Sequence, residues 1–292
     1  MLARPHELWD VLKEASREWV ADRSTRRGAA LAYYTVFSLA PILMLAIAIA
    51  GLFFGEEAAR GEIVAQISGL IGPEGARAIQ AMIENAAEPG AGVIAVAIGF
   101  GTLLVGATSA LAELKEDLDE IWDAPSEKVT GFWYFIRKRL LSIGMILALG
   151  FLLLVSLGFS AILSGLAKLF DARGAAGPLL VGLEGLNFLM SFALVSALFA
   201  MIYKILPAVR ISWRDVVTGA VVTALLFNVG KFLIGMYLGN SAVTSSYGAA
   251  GSLILILVWV YYSAQIFLFG AEFTKAYAFR VGSRRAGVTS HN

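Results

Sequence analysis

Six long apolar runs, near residues 29–54, 92–112, 140–165, 179–206, 215–238 and 248–271, constrain this chain more than any other feature. Each is long enough to cross a hydrocarbon core, which takes about 20 residues of helix. In lipid, backbone N–H and C=O groups must be satisfied within the segment, which makes a helix of such a run. Of the seven prolines, Pro5, Pro73, Pro89, Pro125 and Pro178 fall between the runs, Pro207 closes the fourth, and only Pro41 lies inside one. That is the pattern expected of helices, where proline removes a donor and clashes with the preceding turn. Composition agrees: 58% of residues are hydrophobic and 15% charged, against roughly 25% charged in soluble domains. Mean hydropathy is +0.75. The expected fold class is all-α: a polytopic bundle of six transmembrane helices, 29–272, with short amphipathic helices added.

Orientation follows from lysine and arginine, which favour the cytoplasmic side of a membrane. Segments 1–28, 113–139, 204–214 and 272–292 hold 18 of the 23, while the alternate segments 55–91, 166–178 and 239–247 hold four. Both termini are therefore expected in the cytoplasm, with the tail at 273–292. The 28 mixed residues ahead of a 26-residue apolar run do not read as a cleavable signal.

The segment "HELWDVLKEASREWV" places Leu8, Leu12, Ala15 and Trp19 on one face. It is expected either to lie along the membrane interface or to pack as a short helix on neighbouring loops. Residues 55–91 read as a periplasmic helical hairpin broken at "GPEG", with apolar stripes Ile63, Ile67, Leu70 and Ile79, Met82, Ile83. The acids Glu116, Asp117, Asp119 and Glu120 read as the solvated continuation of the second span, since consecutive acids point to different faces. Gly51–Gly55 and Gly235–Gly239 have GxxxG spacing, which lets helices approach closely in lipid.

Several function classes are poorly supplied. Both histidines, His6 and His291, sit near the termini, cysteine is absent, and no Walker-type phosphate loop occurs. No enzyme activity, cofactor or metal is expected. A net charge of +1 gives no basic excess for nucleic acid. Membrane lipids are the expected partners, with a homo-oligomer left open.

What remains is polar residues at membrane depth, which are costly unless paired or hydrated. In "ALLFNVGKFLIGMYLG" Lys231 lies eight residues from the external end of its span, roughly 12 Å deep at 1.5 Å per residue. Glu184, in the oppositely running fourth span, falls near the same level. Asn187 and Asn228 lie three residues from Glu184 and Lys231, giving each charge an amide on its own helical face. Pairing, lining of a cavity, and snorkelling of Lys231 to the outer headgroups all remain open. In the first span Tyr34, Thr35, Ser38 and Pro41 are candidates for a kinked, hydrated wall. Gln265 and Glu272 share a face at the end of the sixth.

Four stretches together carry a resemblance: "RGAALAYYTVFSLAPILMLAIAIAGLFFG", "LLVGATSALAELKEDLDEIW", "LPAVRISWRDVVTGAVVTALLFNVGKFLIGMYLG" and "YGAAGSLILILVWVYYSAQIFLFGAEFTKAYA". The chain resembles the YihY/BrkB family of bacterial inner-membrane proteins from about residue 26 to 280. Older family labels are "virulence factor" and "ribonuclease BN", the latter a misassignment. The resemblance implies a six-span inner-membrane protein without an agreed activity, one branch being suspected of moving lipid A precursors or related intermediates. The family's P–x–x–R/K–x–x–W stretch corresponds to Pro207, Arg210 and Trp213, its glycine–lysine pair to Gly230 and Lys231, and its GAE signature to Gly270, Ala271 and Glu272. Many relatives have Asn where this chain has Asp119. The expected function is transport or flipping of an amphiphilic, anionic lipid or glycolipid precursor. The alternatives are a channel or ion-coupled carrier for a small solute, or a non-transporting scaffold for envelope assembly.

Overall fold

The computed structural model describes residues 5–61, 109–125, 178–240 and 249–285, with scattered positions between 63 and 84 and at 163. All regular structure among the described residues is helical. Helix α1 spans Pro5–Ala21 and α2 spans Ser24–Phe54. The stretch 109–121 forms α3. Helices α4, α5 and α6 span Pro178–Ile205, Trp213–Asn240 and Ala249–Arg280. Among the described residues three segments, Gly185–Ile205, Trp213–Ile234 and Ile256–Arg280, are long and apolar enough to cross a membrane. The second and third apolar runs lie outside the described residues, apart from 109–112 and 163.

Helix α6 is the hub. Helices α1, α2 and α5 all pack on it, and α4 packs on α5. The α5–α6 contact is close because small residues alternate across it. A Cβ on Gly219 would lie 1.8 Å from Thr274 Oγ1, and one on Gly270 would lie 2.0 Å from Thr223 Oγ1. Further along, a Cβ on Gly230 would lie 2.6 Å from the Tyr262 ring. Thr223 and Thr274 return their hydroxyls to their own helices, donating to Gly219 O at 2.7 Å and Gly270 O at 2.6 Å. Neither polar group is left unsatisfied where lipid offers no partner. Tyr203 of α4 closes the seam: fully buried, it donates to Phe267 O at 2.7 Å and lies 3.2 Å from Thr223 Oγ1. On the opposite face of α5, Val217, Val221, Leu225 and Val229 recur every four residues and are exposed. A stripe of that kind is suited to lipid rather than water.

Three local expectations change. Helix α1 packs on α6, but through Val11 and Ala15 against Phe273 and Ala276, leaving Leu8 and Leu12 exposed. The buried stripe is thus rotated from the expected one, because the small Ala15 and the compact Val11 let α1 lie close to its neighbour. The Gly51–Gly55 spacing is a helix end: Gly55 takes φ 85° and donates its N–H to Gly51 O, closing α2. Helix α6 runs on to Arg280, well beyond its apolar run. Ile63 and Ile79, from the two stripes expected in 55–91, are buried together with Ile47, Ile256 and Val260.

Gly270→Val should drive a branched side chain into Thr223 and Tyr203 and destabilise the bundle by about 1–3 kcal/mol. Thermal unfolding of the detergent-solubilised protein checks this. Gly185→Ala, where a Cβ meets nothing within 4 Å, should leave the melting temperature unchanged or slightly raised.

Candidate functional site

The charged groups collect at one end of the bundle, where α2 and α5 begin and α4 and α6 end. Helix α1 stops at Ala21, and the chain turns through Arg23, held at φ 53° in the left-handed region. A side chain there costs roughly 1–2 kcal/mol. The turn is pinned by Arg27 Nε, which donates to Asp22 O at 2.8 Å. Facing it, α3 buries Leu118, Ile121 and Trp122 in the main core. That rotation carries Asp117, one residue before Leu118, to the inner side, where it is only 3% exposed.

Arg27 ties the two elements together. Its Nη1 lies 3.5 Å from Asp117 Oδ1, and its Nη2 pairs with Glu120. Between them is a cavity of about 430 Å³. Its α2 wall carries Arg23, Arg26 and Arg27; its α3 wall carries Glu113, Glu116, Asp117 and Glu120. Glu120's hydrogen bond to Arg27 holds its carboxyl below the ordinary value, and the same bond raises Arg27. Asp117 moves the other way, to about 7, because burial outweighs the opposing pull of Arg27. Arg23 and Arg26 are exposed and have no ion-pair partner among the described residues.

Further bonds brace this end. Asp119 accepts from Ala208 N at 2.6 Å and pairs with Lys115, fixing the α4–α5 connection. Lys275 meets Asp123 at 2.6 Å, and Arg280 pairs with Glu14. Asp215, 1% exposed, accepts from Ser283 Oγ at 2.5 Å and from Ser283 N, capping the turn after α6. Around this end, several buried polar atoms make no hydrogen bond among the described residues: Asp117 Oδ2, Ser24 Oγ, Trp19 Nε1, Trp122 Nε1 and Gln265 Oε1; the Glu272 carboxyl lies against Asp22.

The residues singled out in the sequence are dispersed. Gln265 and Glu272 belong to this end: Gln265 Nε2 donates to Ser24 O at 3.4 Å, and Glu272 is 1% exposed. Lys231 is half-buried on α5 without an ion-pair partner among the described residues. Asn228 donates to Ala224 O of its own helix at 2.9 Å, and Asn187 is exposed. Tyr34 is 37% exposed, its ring meeting Tyr33 edge-on at 5.7 Å, and Thr35 is half-buried. Ser38 and Pro41 lie within α2, and Glu184 within α4; the side chains of all three are outside the described residues.

The chain matches the family described as Virulence factor BrkB over residues 15–289. It belongs to that family. A UPF0761 membrane protein of Pseudoalteromonas atlantica is 32% identical over 84% of this chain and 78% of its own length. Similar proteins of the same description occur in Alkalilimnicola ehrlichii, at 26% identity over 93% of this chain and 59% of that relative, and in Pseudoalteromonas translucida, at 27% over 87% and 81%. No solved structure matches. This BrkB-family chain is an integral membrane protein, as the resemblance implied. Its motif glycines, Gly230 and Gly270, sit in the α5–α6 seam. Its Trp213 lies under the Lys204 ammonium, 5.4 Å from the ring centre, and Asp119 supplies an acceptor oxygen to Ala208 N.

The acidic stretch of α3 departs from its expected role. Glu116 and Glu120 are exposed, but Asp117 faces inward. The pattern Leu114, Leu118, Ile121, Trp122 in the sequence marks the buried face and could have located Asp117 beside it. Nothing local in the sequence identifies Arg27 as its partner, 90 positions away.

Folding tightens the hold of Asp117 on its proton, from an ordinary value of 3.8 to about 7. The contribution of Asp117 to stability should therefore be greatest below about pH 4, fall by up to ~1.4 kcal/mol per unit toward pH 7, and level off above it, with Glu120 contributing in the opposite sense. Asp117→Asn should flatten that part of the profile in melting temperatures measured across this window.

Proposed function

We propose that this protein transports or flips an amphiphile with an anionic head, such as a lipid or glycolipid precursor. The charged end faces the cytoplasm, both termini lie there, and the membrane is the bacterial inner membrane. The observation that carries the reading is the cavity itself. Its volume of about 430 Å³ falls within the roughly 300–1,000 Å³ typical of ligand sites. It opens where apolar helices meet charged loops, the level at which a lipid head resides. Arg23 and Arg26 stand free on its wall, suited to phosphate or carboxylate oxygens. Lysine and arginine concentrated in the same segments support the sidedness. The cysteine-free sequence, with both histidines near its ends, supports a role without covalent chemistry.

The test is a flipping assay with the purified protein in liposomes, using a fluorescent anionic lipid and a membrane-impermeant quencher. Wild-type protein should move the lipid faster than protein-free vesicles. The double variant Arg23→Gln, Arg26→Gln should lower the initial rate about tenfold, as expected from losing charge-assisted hydrogen bonds. Its melting temperature should stay unchanged, since both side chains are exposed and unpaired. Absence of wild-type flipping for anionic and glycolipid probes alike would sink the reading and favour the scaffold alternative.

A further inference from the structure

Where the α1–α2 turn meets the hub helix, two carboxyls are in contact. Glu272 of α6 is 1% exposed and lies against Asp22 of the turn. Neither Glu272 oxygen receives a hydrogen bond from an N–H or O–H group among the described residues, and both are sealed from solvent. Two ionised carboxylates are acceptors only, and like charges this close do not both stay ionised away from water. The surroundings do little to offset them. Glu18 of α1 adds a further negative charge, and Lys275, one turn along α6, is committed to Asp123 beyond α3. Arg27 of α2 holds Asp22 by its backbone oxygen and spends the ends of its guanidinium on Asp117 and Glu120. Helix α5 meets this stretch of α6 through Gly219 and Thr223, neither of them charged, and α4 through the Tyr203 hydroxyl, already bonded to Phe267 O.

Asp22 lines the open cavity between α2 and α3; Glu272 does not. Solvent therefore reaches the pair at Asp22, and a proton is the one ligand that joins the two carboxyls without room being made for it. We propose that Glu272 and Asp22 hold a single proton between them, exchanged with solvent through the cavity, and that its loss releases the α1–α2 turn from α6. On loading, a proton from solvent forms an O–H bond on one carboxylate, which then donates to the other. On unloading, that O–H bond breaks and the proton returns to solvent, so the titration belongs to the pair. With the proton in place the contact ties the turn to the hub. Without it two like charges face each other, and Glu18 adds a third. The turn carries Arg23 and leads into α2, so the proton sets where the basic wall of the cavity stands. The inference rests on the transport reading for what this movement serves, whereas the proton and the movement are measured without transport.

The experiment is an infrared titration of the full chain in lipid nanodiscs, from mildly acidic to mildly alkaline buffer. Wild type should show at neutral pH the C=O stretch of a protonated carboxylic acid, kept in Asp117→Asn and lost in Glu272→Gln. Asp22→Asn, on the half-buried partner, should move the disappearance of that band to lower pH, because an amide donates to Glu272 without a proton that titrates. Release of the turn is read by hydrogen exchange. In alkaline buffer the backbone amides of the turn should exchange several-fold faster in wild type than in Glu272→Gln, whose amide donates to Asp22 at every pH; in acidic buffer the two should match. Comparison at equal pH leaves Asp117 in the same state in both proteins. If Glu272→Gln does not fold, Asp22→Asn carries both readings. A wild-type spectrum without the band, or a band that neither variant alters, overturns the proton site. Equal exchange at alkaline pH overturns the release of the turn. A band and an exchange difference as described, in a protein that flips no lipid, would sink the transport reading and leave this inference standing.

Discussion

The approach of α5 to α6 is the constraint on which the remaining packing depends. Lipid supplies no hydrophobic force to press helices together, so association relies on close contact and satisfied polar groups. Gly219 opposite Thr274 and Thr223 opposite Gly270 let the two backbones approach. The threonine hydroxyls stay bonded to their own helices. Tyr203 then hooks α4 to the seam through Phe267 O. With α6 fixed in this way, its other faces receive α1 and α2. The turn between those helices is thereby delivered to the place where Arg27 meets α3.

The charged end is a different kind of structure from the seam. It is held by pairs that join elements distant in sequence: Arg27 with Asp117, Lys275 with Asp123, Arg280 with Glu14. The exposed pairs, Lys275 with Asp123 and Arg280 with Glu14, contribute little individually. The buried Asp117 matters more, because it sits where ionisation is costly and only one side of its carboxylate is answered. A bundle rigid along one helix and loosely charged at its end is suited to hold a site without sealing it.

Much of the scaffold was legible in the sequence because lipid imposes a length and a composition on each span. The runs at 179–206 and 215–238 correspond to α4 and α5 within a residue or two. The face of α1 was read in part: Ala15 and Trp19 pack inward as expected, whereas the more hydrophobic Leu8 and Leu12 drew the stripe away from Val11, which packs on α6 beside Ala15. The candidate site was harder to read. Depth-based reasoning drew attention to Lys231 and Glu184, where a charge is conspicuous against apolar neighbours. At Asp117 the charge is one of several acids, and only the contact with Arg27 distinguishes it. Gln265 and Glu272 share a face in the sequence and lie at the charged end, but the unmet hydrogen bonds around Ser24 and Trp19 depend on tertiary placement.

The central claim is that the space between α2 and α3 lies on the path of the transported head. The natural absence of cysteine allows the pair Arg26→Cys and Glu116→Cys to be bridged across the cavity by a reversible, thiol-specific cross-linker. Cross-linked protein in liposomes should lose flipping and regain on reduction whatever rate the unbridged double variant shows, while the rate of either single variant treated alike should not change on reduction. Undiminished flipping by fully bridged protein would contradict the account.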